Sequence, residues 1–308
     1  MAAASVTTAR SRHIATALLV VITAIWGSTF FLIRDVVQQI SPADFLAARF
    51  TIAAMAMVAV FWRPMLALSK RELRIGVVLG ALYAVAQILQ TVGLAHTEAS
   101  RSGFITGTYV VLTPILTAVL LRERIPRSTW LAVLLATAGL ATLSLNGFAL
   151  GYGESLTLLA AAFYALHIIG LGRYSSPMSA AGLSTVQMIV IAVLSLVAAA
   201  PGGITLPPDR GAWASVLYMA LFAGALAIWA QTWAQAHLSA TRAAIVMTLE
   251  PVFAAGFAVG LGGESLTIRM LLGGAMILAA MYAVELIGRR ADATAEQSPP
   301  PEMLHHKV

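Results

Sequence analysis

The chain has 308 residues, of which 59% are hydrophobic and only 10% are charged, and its mean hydropathy is +0.86. A soluble protein of this length needs far more polar surface to cover its core, so the composition excludes a soluble globular fold. The net charge of +6 comes without a basic patch carrying interleaved aromatic residues, which argues against nucleic acid as a partner.

Ten long apolar segments follow one another along the chain. A helix that crosses a bilayer needs roughly 20 apolar residues, so these segments predict an all-α polytopic membrane protein with ten transmembrane helices. Residues 1–13 form a predicted N-terminal tail, and residues 288–308, with Ser-Pro-Pro-Pro at 298–301, a predicted disordered tail. The predicted spans are residues 14–33, 45–62, 75–95, 102–121, 128–146, 155–172, 183–200, 212–234, 243–262 and 267–287.

The basic residues predict the topology. If the N-terminus is cytoplasmic, most lysines and arginines fall in cytoplasmic loops, and the predicted outer side receives Arg34, Arg101, Arg210 and Arg269. Because cytoplasmic loops of membrane proteins are rich in Lys and Arg, both termini are predicted to be cytoplasmic.

The last five spans repeat the layout of the first five. Ala24-Ile25-Trp26 corresponds to Ala162-Phe163-Tyr164, and Ala95-His96 corresponds to Ala236-His237. An odd number of spans in each half forces the two halves to insert in opposite orientations, as in many secondary transporters. The sequence therefore predicts two inverted five-helix repeats, at residues 14–146 and 153–287.

Several short motifs also keep the same order across the two halves. They are Trp-Gly-Ser-Thr-Phe at 26–30, Ala-Ala-Arg-Phe at 47–50, Gly-Phe-Ile-Thr-Gly at 103–107, Leu-Thr-Pro at 112–114, Arg-Glu-Arg at 122–124, Leu-Glu-Pro-Val-Phe at 249–253 and Gly-Gly-Glu-Ser at 262–265. With these motifs, residues 14–287 resemble the EamA-type permeases of the drug/metabolite transporter superfamily. Within that family, the general similarity is greatest to the YddG-type aromatic amino-acid exporters. The resemblance implies a carrier that moves small metabolites without ATP. It also implies a central cavity lined by spans 1–4 and 6–9, with spans 5 and 10 outside as scaffold.

Polar and aromatic side chains near mid-span are the candidate substrate-binding residues. Polar groups are expensive in hydrocarbon and therefore tend to face the bundle interior, and Tyr83, Gln87 and Gln90 share one helical face by their i, i+4, i+7 spacing. Such a site would use rings for stacking and cation–π contacts and amides to fix a zwitterion. The alternative is that Gln and Tyr hold helices together and that Trp lies in an interfacial belt. The candidates are Trp26, Tyr83, Gln87, Gln90, Tyr109, Tyr164, His167 and Trp229.

Two titratable groups and two prolines lie deep in the spans. Glu250 and His167 are candidates for proton coupling, because each can exchange a proton inside the bundle; the alternative for both is a structural hydrogen bond. Pro114 and Pro251 are candidate hinges, since proline removes a helical hydrogen bond. Arg49 is predicted to be structural, either extending outward or capping a neighbouring helix.

We therefore expect a secondary transporter that moves a small, amino-acid-like solute outward across a bacterial inner membrane by alternating access. The alternatives are an uncoupled facilitator and a carrier of another small metabolite or drug. An intramembrane enzyme is a remote alternative, because Ser28 and His167 lack the rest of a catalytic constellation. The absence of cysteines and of metal-ligand spacing among the six histidines predicts no cofactor and no metal, and a ten-helix bundle can act as a monomer.

Overall fold

A computed structural model describes residues 9–97, 99–144, 151–260 and 267–297. Within these ranges the chain forms fourteen α-helices and no β-strand. The helices are α1 (Ala9–Gly27), α2 (Phe30–Val37), α3 (Pro42–Leu66), α4 (Lys70–Leu94), α5 (Ala99–Gly107), α6 (Tyr109–Leu121), α7 (Arg127–Ser144), α8 (Tyr152–Tyr174), α9 (Ala180–Ala199), α10 (Arg210–Tyr218), α11 (Ala227–Gln235), α12 (Ala240–Met247), α13 (Glu250–Gly260) and α14 (Ile268–Gln297).

The helices confirm an all-α, multi-pass membrane protein. Helix occupies all ten predicted spans where the structure describes them. Among the described residues, six of these helical stretches are long and apolar enough to cross a bilayer. Two shorter apolar helices cover Ile105–Leu121 and Ile268–Ala283. Ten crossings and the cytoplasmic termini remain predictions. The six long stretches are Pro42–Leu66, Lys70–Leu94, Tyr152–Tyr174, Ala180–Gly202, Arg210–Gln235 and Ala240–Phe257.

Three of the predicted spans are interrupted, each at a threonine. Thr29 separates α1 from α2, Thr108 separates α5 from α6, and Thr248 lies between α12 and α13. At each break the threonine hydroxyl donates to the carbonyl three residues earlier, at 2.8 Å, 2.6 Å and 2.5 Å respectively. Hydroxyl groups that bond back to the helix in this way bend it.

The breaks lie close to one predicted hinge and away from the other. Glu250 and Pro251 open α13, where a proline without an N–H is well tolerated, so the interruption directly precedes Pro251. Helix α6 runs continuously through Pro114. Its interruption lies upstream, at Thr108. The break between α1 and α2 contains no proline and follows Gly27-Ser28, a pair typical of helix kinks.

The two halves of the chain pack mainly against each other. Helix α3 lies along α9, α4 lies between α8 and α9, and α1 contacts α11 and α13. The backbones of α4 and α8 approach closely: a Cβ on Gly93 would lie 2.8 Å from the Gly153 carbonyl oxygen, and a Cβ on Gly153 would lie 2.8 Å from the Gly93 carbonyl oxygen. Helices α7 and α14 pair with each other. The largest buried cluster accordingly draws its residues from both halves.

The described ranges end inside several predicted features. The predicted ends of the fifth and ninth spans, at residues 146 and 262, lie outside them, as do residues 1–8, 98, 298–308 and the motif at 262–265. Helix α14 continues to Gln297, past the predicted end at 287 and into the segment predicted to be a disordered tail. Its added residues include Arg, Ala, Glu and Gln, which are good helix formers.

Candidate functional site

A cavity of about 70 Å³ lies where both halves meet. Its walls come from α1, α2, α3, α4, α5, α6, α8, α11, α12 and α13, together with Thr29 in the first helix break. Among the described residues, α7, α9, α10 and α14 contribute no wall residue. The wall thus leaves out α9, the seventh predicted span, which the resemblance would place at the cavity.

Seven of the eight candidate binding residues line this cavity. They are Trp26, Tyr83, Gln87, Gln90, Tyr109, Tyr164 and His167, and the coupling candidate Glu250 lines it too. Trp229 does not. Its ring stacks on Phe61 of α3 with centroids 6.2 Å apart, and the residue of α11 that faces the cavity is Gln231. Two residues apart on a helix means about 200° around its axis, so Trp229 and Gln231 point in nearly opposite directions.

The polar residues of the cavity form a connected hydrogen-bond network across α4, α5 and α8. Gln87 donates through Nε2 to the hydroxyls of Tyr83 at 3.1 Å and Tyr164 at 2.8 Å. The Tyr164 hydroxyl donates to Oε1 of Gln90 at 2.6 Å, and Gln90 donates to the Thr106 hydroxyl at 3.0 Å. Because each of these side chains has a hydrogen-bond partner in the network, their orientations in the cavity wall are fixed.

His167 lies behind the rings and is held by α9. Its Nε2 is 2.8 Å from Oε1 of Gln187, an atom that can only accept, so Nε2 carries the proton. The other ring nitrogen, Nδ1, is buried and has no hydrogen-bond partner in the described part of the chain. The ring also packs on Tyr83, with centroids 5.0 Å apart. His167 therefore presents an unused acceptor beside the cavity.

A π-helical segment, Met219–Leu226, joins α10 to α11 and supplies an unusual acceptor. The N–H of Ala227 bonds to the carbonyls of residues 222 and 224, so the Ala223 carbonyl lacks the usual α-helical donor. It accepts instead from the indole N–H of Trp26 at 3.0 Å and from Nη2 of Arg49 at 3.4 Å. Such segments are frequent at functional sites.

The charged groups of the cavity are Arg49 and Glu250. Arg49 is 3% exposed, so it does not extend outward to water. Glu250 begins α13, where the helix dipole favours a negative charge. Its carboxylate accepts no hydrogen bond from the residues that the structure describes.

Sequence reasoning missed Gln231 and gave Arg49 only a structural role. Gln231 could have been found, because Gln231 and Gln235 are polar residues one turn apart on α11. In the structure they bond to each other at 3.1 Å. No sequence signal indicated the Ala223 carbonyl to which Arg49 bonds. Among the described residues no cluster of His, Cys, Asp or Glu could hold a metal ion.

Comparison with known proteins places this arrangement in a wider group. The model of the EamA-like transporter family matches residues 13–145 and again 151–286. An Archaeoglobus fulgidus protein named "Uncharacterized transporter" is 32% identical over 269 residues, which is 87% of this chain and 84% of that protein. The Escherichia coli K12 "Uncharacterized inner membrane transporter YedA" is 27% identical over 265 residues, or 83% of this chain and 85% of that one. A crystal structure aligns with a TM-score of 0.75 at 17% identity, covering 90% of this chain and 97% of the other, and so supports the fold alone.

Proposed function

The chain belongs to the EamA-like transporter family, and on that premise we propose that it is a secondary transporter of small amino-acid-like solutes. Its ten membrane spans form two inverted five-helix repeats with both termini in the cytoplasm of a bacterium. It moves neutral amino acids, aromatic ones included, outward across the inner membrane by alternating access.

The observation that carries the proposal is the meeting of three broken helices at one cavity. Thr29 lies in the first break, and Tyr109 and Glu250 begin the helices that follow the other two, and all three line the cavity. Interrupted helices near mid-bilayer are typical of substrate sites in secondary transporters, because irregular backbone is tolerated there only around a cavity.

The walls favour a solute with an aromatic or apolar side chain and a polar head. Four rings, those of Trp26, Tyr83, Tyr109 and Tyr164, offer stacking surfaces. Amides and two opposite charges offer partners for a carboxylate and an ammonium group. The volume of about 70 Å³ is well below the roughly 300–1,000 Å³ of typical ligand sites. We infer that the broken helices move apart to admit the solute.

Glu250 is the proposed proton-coupling residue, with His167 as second candidate. A carboxylate that no described group satisfies is free to pair with either a proton or the solute, which is the requirement for exchanging one for the other. An uncoupled facilitator is the competing function, and under it the charge state of Glu250 would not affect the driving force.

Uptake of labelled phenylalanine, tryptophan and threonine into proteoliposomes tests the function. Saturable uptake that unlabelled amino acid competes supports a carrier, whereas uptake equal to that of empty liposomes refutes the amino-acid assignment. An imposed pH gradient should accelerate uptake in the wild type and not in Glu250→Gln. Asp35→Asn, which removes an exposed carboxylate, is the matched control and should respond like the wild type. A pH response retained by Glu250→Gln would exclude Glu250 from coupling.

A further inference from the structure

Arg49 is a buried cation with most of its donors unused. Its guanidinium makes one long hydrogen bond, from Nη2 to the Ala223 carbonyl at 3.4 Å, while the buried Nε has no partner in the described part of the chain. The rings of Phe50 and Phe45 lie 4.9 Å and 5.8 Å from its central carbon. No described carboxylate forms an ion pair with it. A charge inside a membrane bundle is expensive and marks a functional site unless it is paired.

The bond to Ala223 does not explain why an arginine is needed. Trp26 already donates to the same carbonyl at the shorter distance of 3.0 Å, so that oxygen is satisfied without Arg49. A guanidinium carries five N–H donors in a planar fork whose geometry matches a carboxylate. Arg49 is one of the residues that line the cavity.

Arg49 and Glu250 flank the same turn of α1. Trp26 shares its acceptor with Arg49. The next residue, Gly27, meets the other charged element, since a Cβ there would lie 2.8 Å from the Glu250 carbonyl oxygen. The first turn of α13 is therefore close to the turn of α1 that carries Trp26, whose indole bonds to the same carbonyl as Arg49. Both Arg49 and Glu250 line one cavity.

We propose that Arg49 is the carboxylate-binding residue of the transported solute and that Glu250 pairs with the solute ammonium group. The site then selects zwitterions that have both groups free, and the rings receive the side chain. This assignment rests on the proposed function, because it concerns the recognition of the same solute in the same cavity.

A ligand series on the wild-type protein tests the proposal without any variant. Binding to the detergent-solubilised full chain would be measured by calorimetry for phenylalanine, phenylalaninamide (no carboxylate) and 3-phenylpropanoate (no ammonium). Losing a hydrogen bond to a charged group weakens binding by about tenfold or more, so both analogues should bind at least about tenfold more weakly than phenylalanine. Equal binding of phenylalanine and phenylalaninamide would overturn the role of Arg49 and leave the transport function intact. Binding of none of the three would refute the amino-acid function itself, and the inference with it.

Variants then assign each pole of the site. Arg49→Gln should weaken phenylalanine binding at least about tenfold and leave phenylalaninamide binding unchanged. Glu250→Gln should also weaken phenylalanine binding at least about tenfold, and should leave 3-phenylpropanoate binding unchanged. Arg63→Gln removes an exposed arginine from the same helix and is the matched control, expected to bind all three like the wild type. Arg49→Gln that still distinguishes phenylalanine from its amide would overturn the assignment. If Arg49→Gln does not fold, the wild-type ligand series decides.

Discussion

The hydroxyl of Tyr164 should be a measurable source of stability, because two hydrogen bonds end on it. It accepts from Gln87 at 2.8 Å and donates to Gln90 at 2.6 Å, and the ring is only 9% exposed. Interhelical hydrogen bonds in membranes contribute about 0.6 kcal/mol on average and about 1.7 at most. Tyr164→Phe should therefore lower the free energy of unfolding by about 1.2 kcal/mol, and by no more than about 3.4.

Tyr109→Phe is the control for this prediction. Its ring is buried and lines the same cavity, but its hydroxyl makes no hydrogen bond to the part of the chain that the structure describes. We expect it to change the free energy of unfolding by less than about 0.5 kcal/mol. The assay is unfolding by a denaturing detergent in mixed micelles, followed by tryptophan fluorescence. A double-mutant cycle of Tyr164→Phe with Gln90→Leu should show coupling of about 0.5 kcal/mol or more. Equal losses in the two tyrosine variants, or no coupling, would contradict the network.

Three further predictions follow from packing, topology and the cavity wall. A Cβ on Gly80 would lie 2.8–2.9 Å from atoms of α9, so Gly80→Ala should lower the thermal midpoint by overpacking worth about 1–3 kcal/mol. Gly256→Ala, where no described atom lies within 4 Å of the new Cβ, should leave the midpoint unchanged or raise it. The chain has no cysteine, so a membrane-impermeant maleimide on intact cells should label Leu206→Cys and not the more exposed Met178→Cys; the reverse would invert the proposed topology. Trp229→Leu should leave the apparent affinity for a transported amino acid within about twofold, and a tenfold loss would show that the wall extends to that residue.

The face of α4 was predictable because its polar residues are few and regularly spaced. Tyr83, Gln87 and Gln90 fall on one side of the helix by spacing alone, and all three line the cavity. On α11 the same reasoning chose Trp229 over Gln231. The inward face of α11 is marked by Gln231 and Gln235, whereas a tryptophan in a membrane helix can face the cavity, a neighbouring helix or the interface.

The helix breaks and the position of Arg49 depend on backbone detail that the sequence does not display. Prolines marked candidate hinges, but Thr108 interrupts its helix six positions before Pro114. Threonine is common in continuous membrane helices, so its presence alone predicts no break. Arg49 bonds to the carbonyl of Ala223, which lacks its usual α-helical donor in the π-helical segment. No residue type in Met219–Leu226 predicts a π-helical segment.

The contact between Gly93 and Gly153 has a consequence for biosynthesis. Helix α4 is made and inserted before α8 leaves the ribosome, so Gly93 cannot contact Gly153 during that interval. We therefore expect the first half to be an assembly intermediate that becomes stable only when the second half has been inserted. Two separately expressed halves, divided within residues 145–150, should be degraded when made alone and should rescue each other when made together.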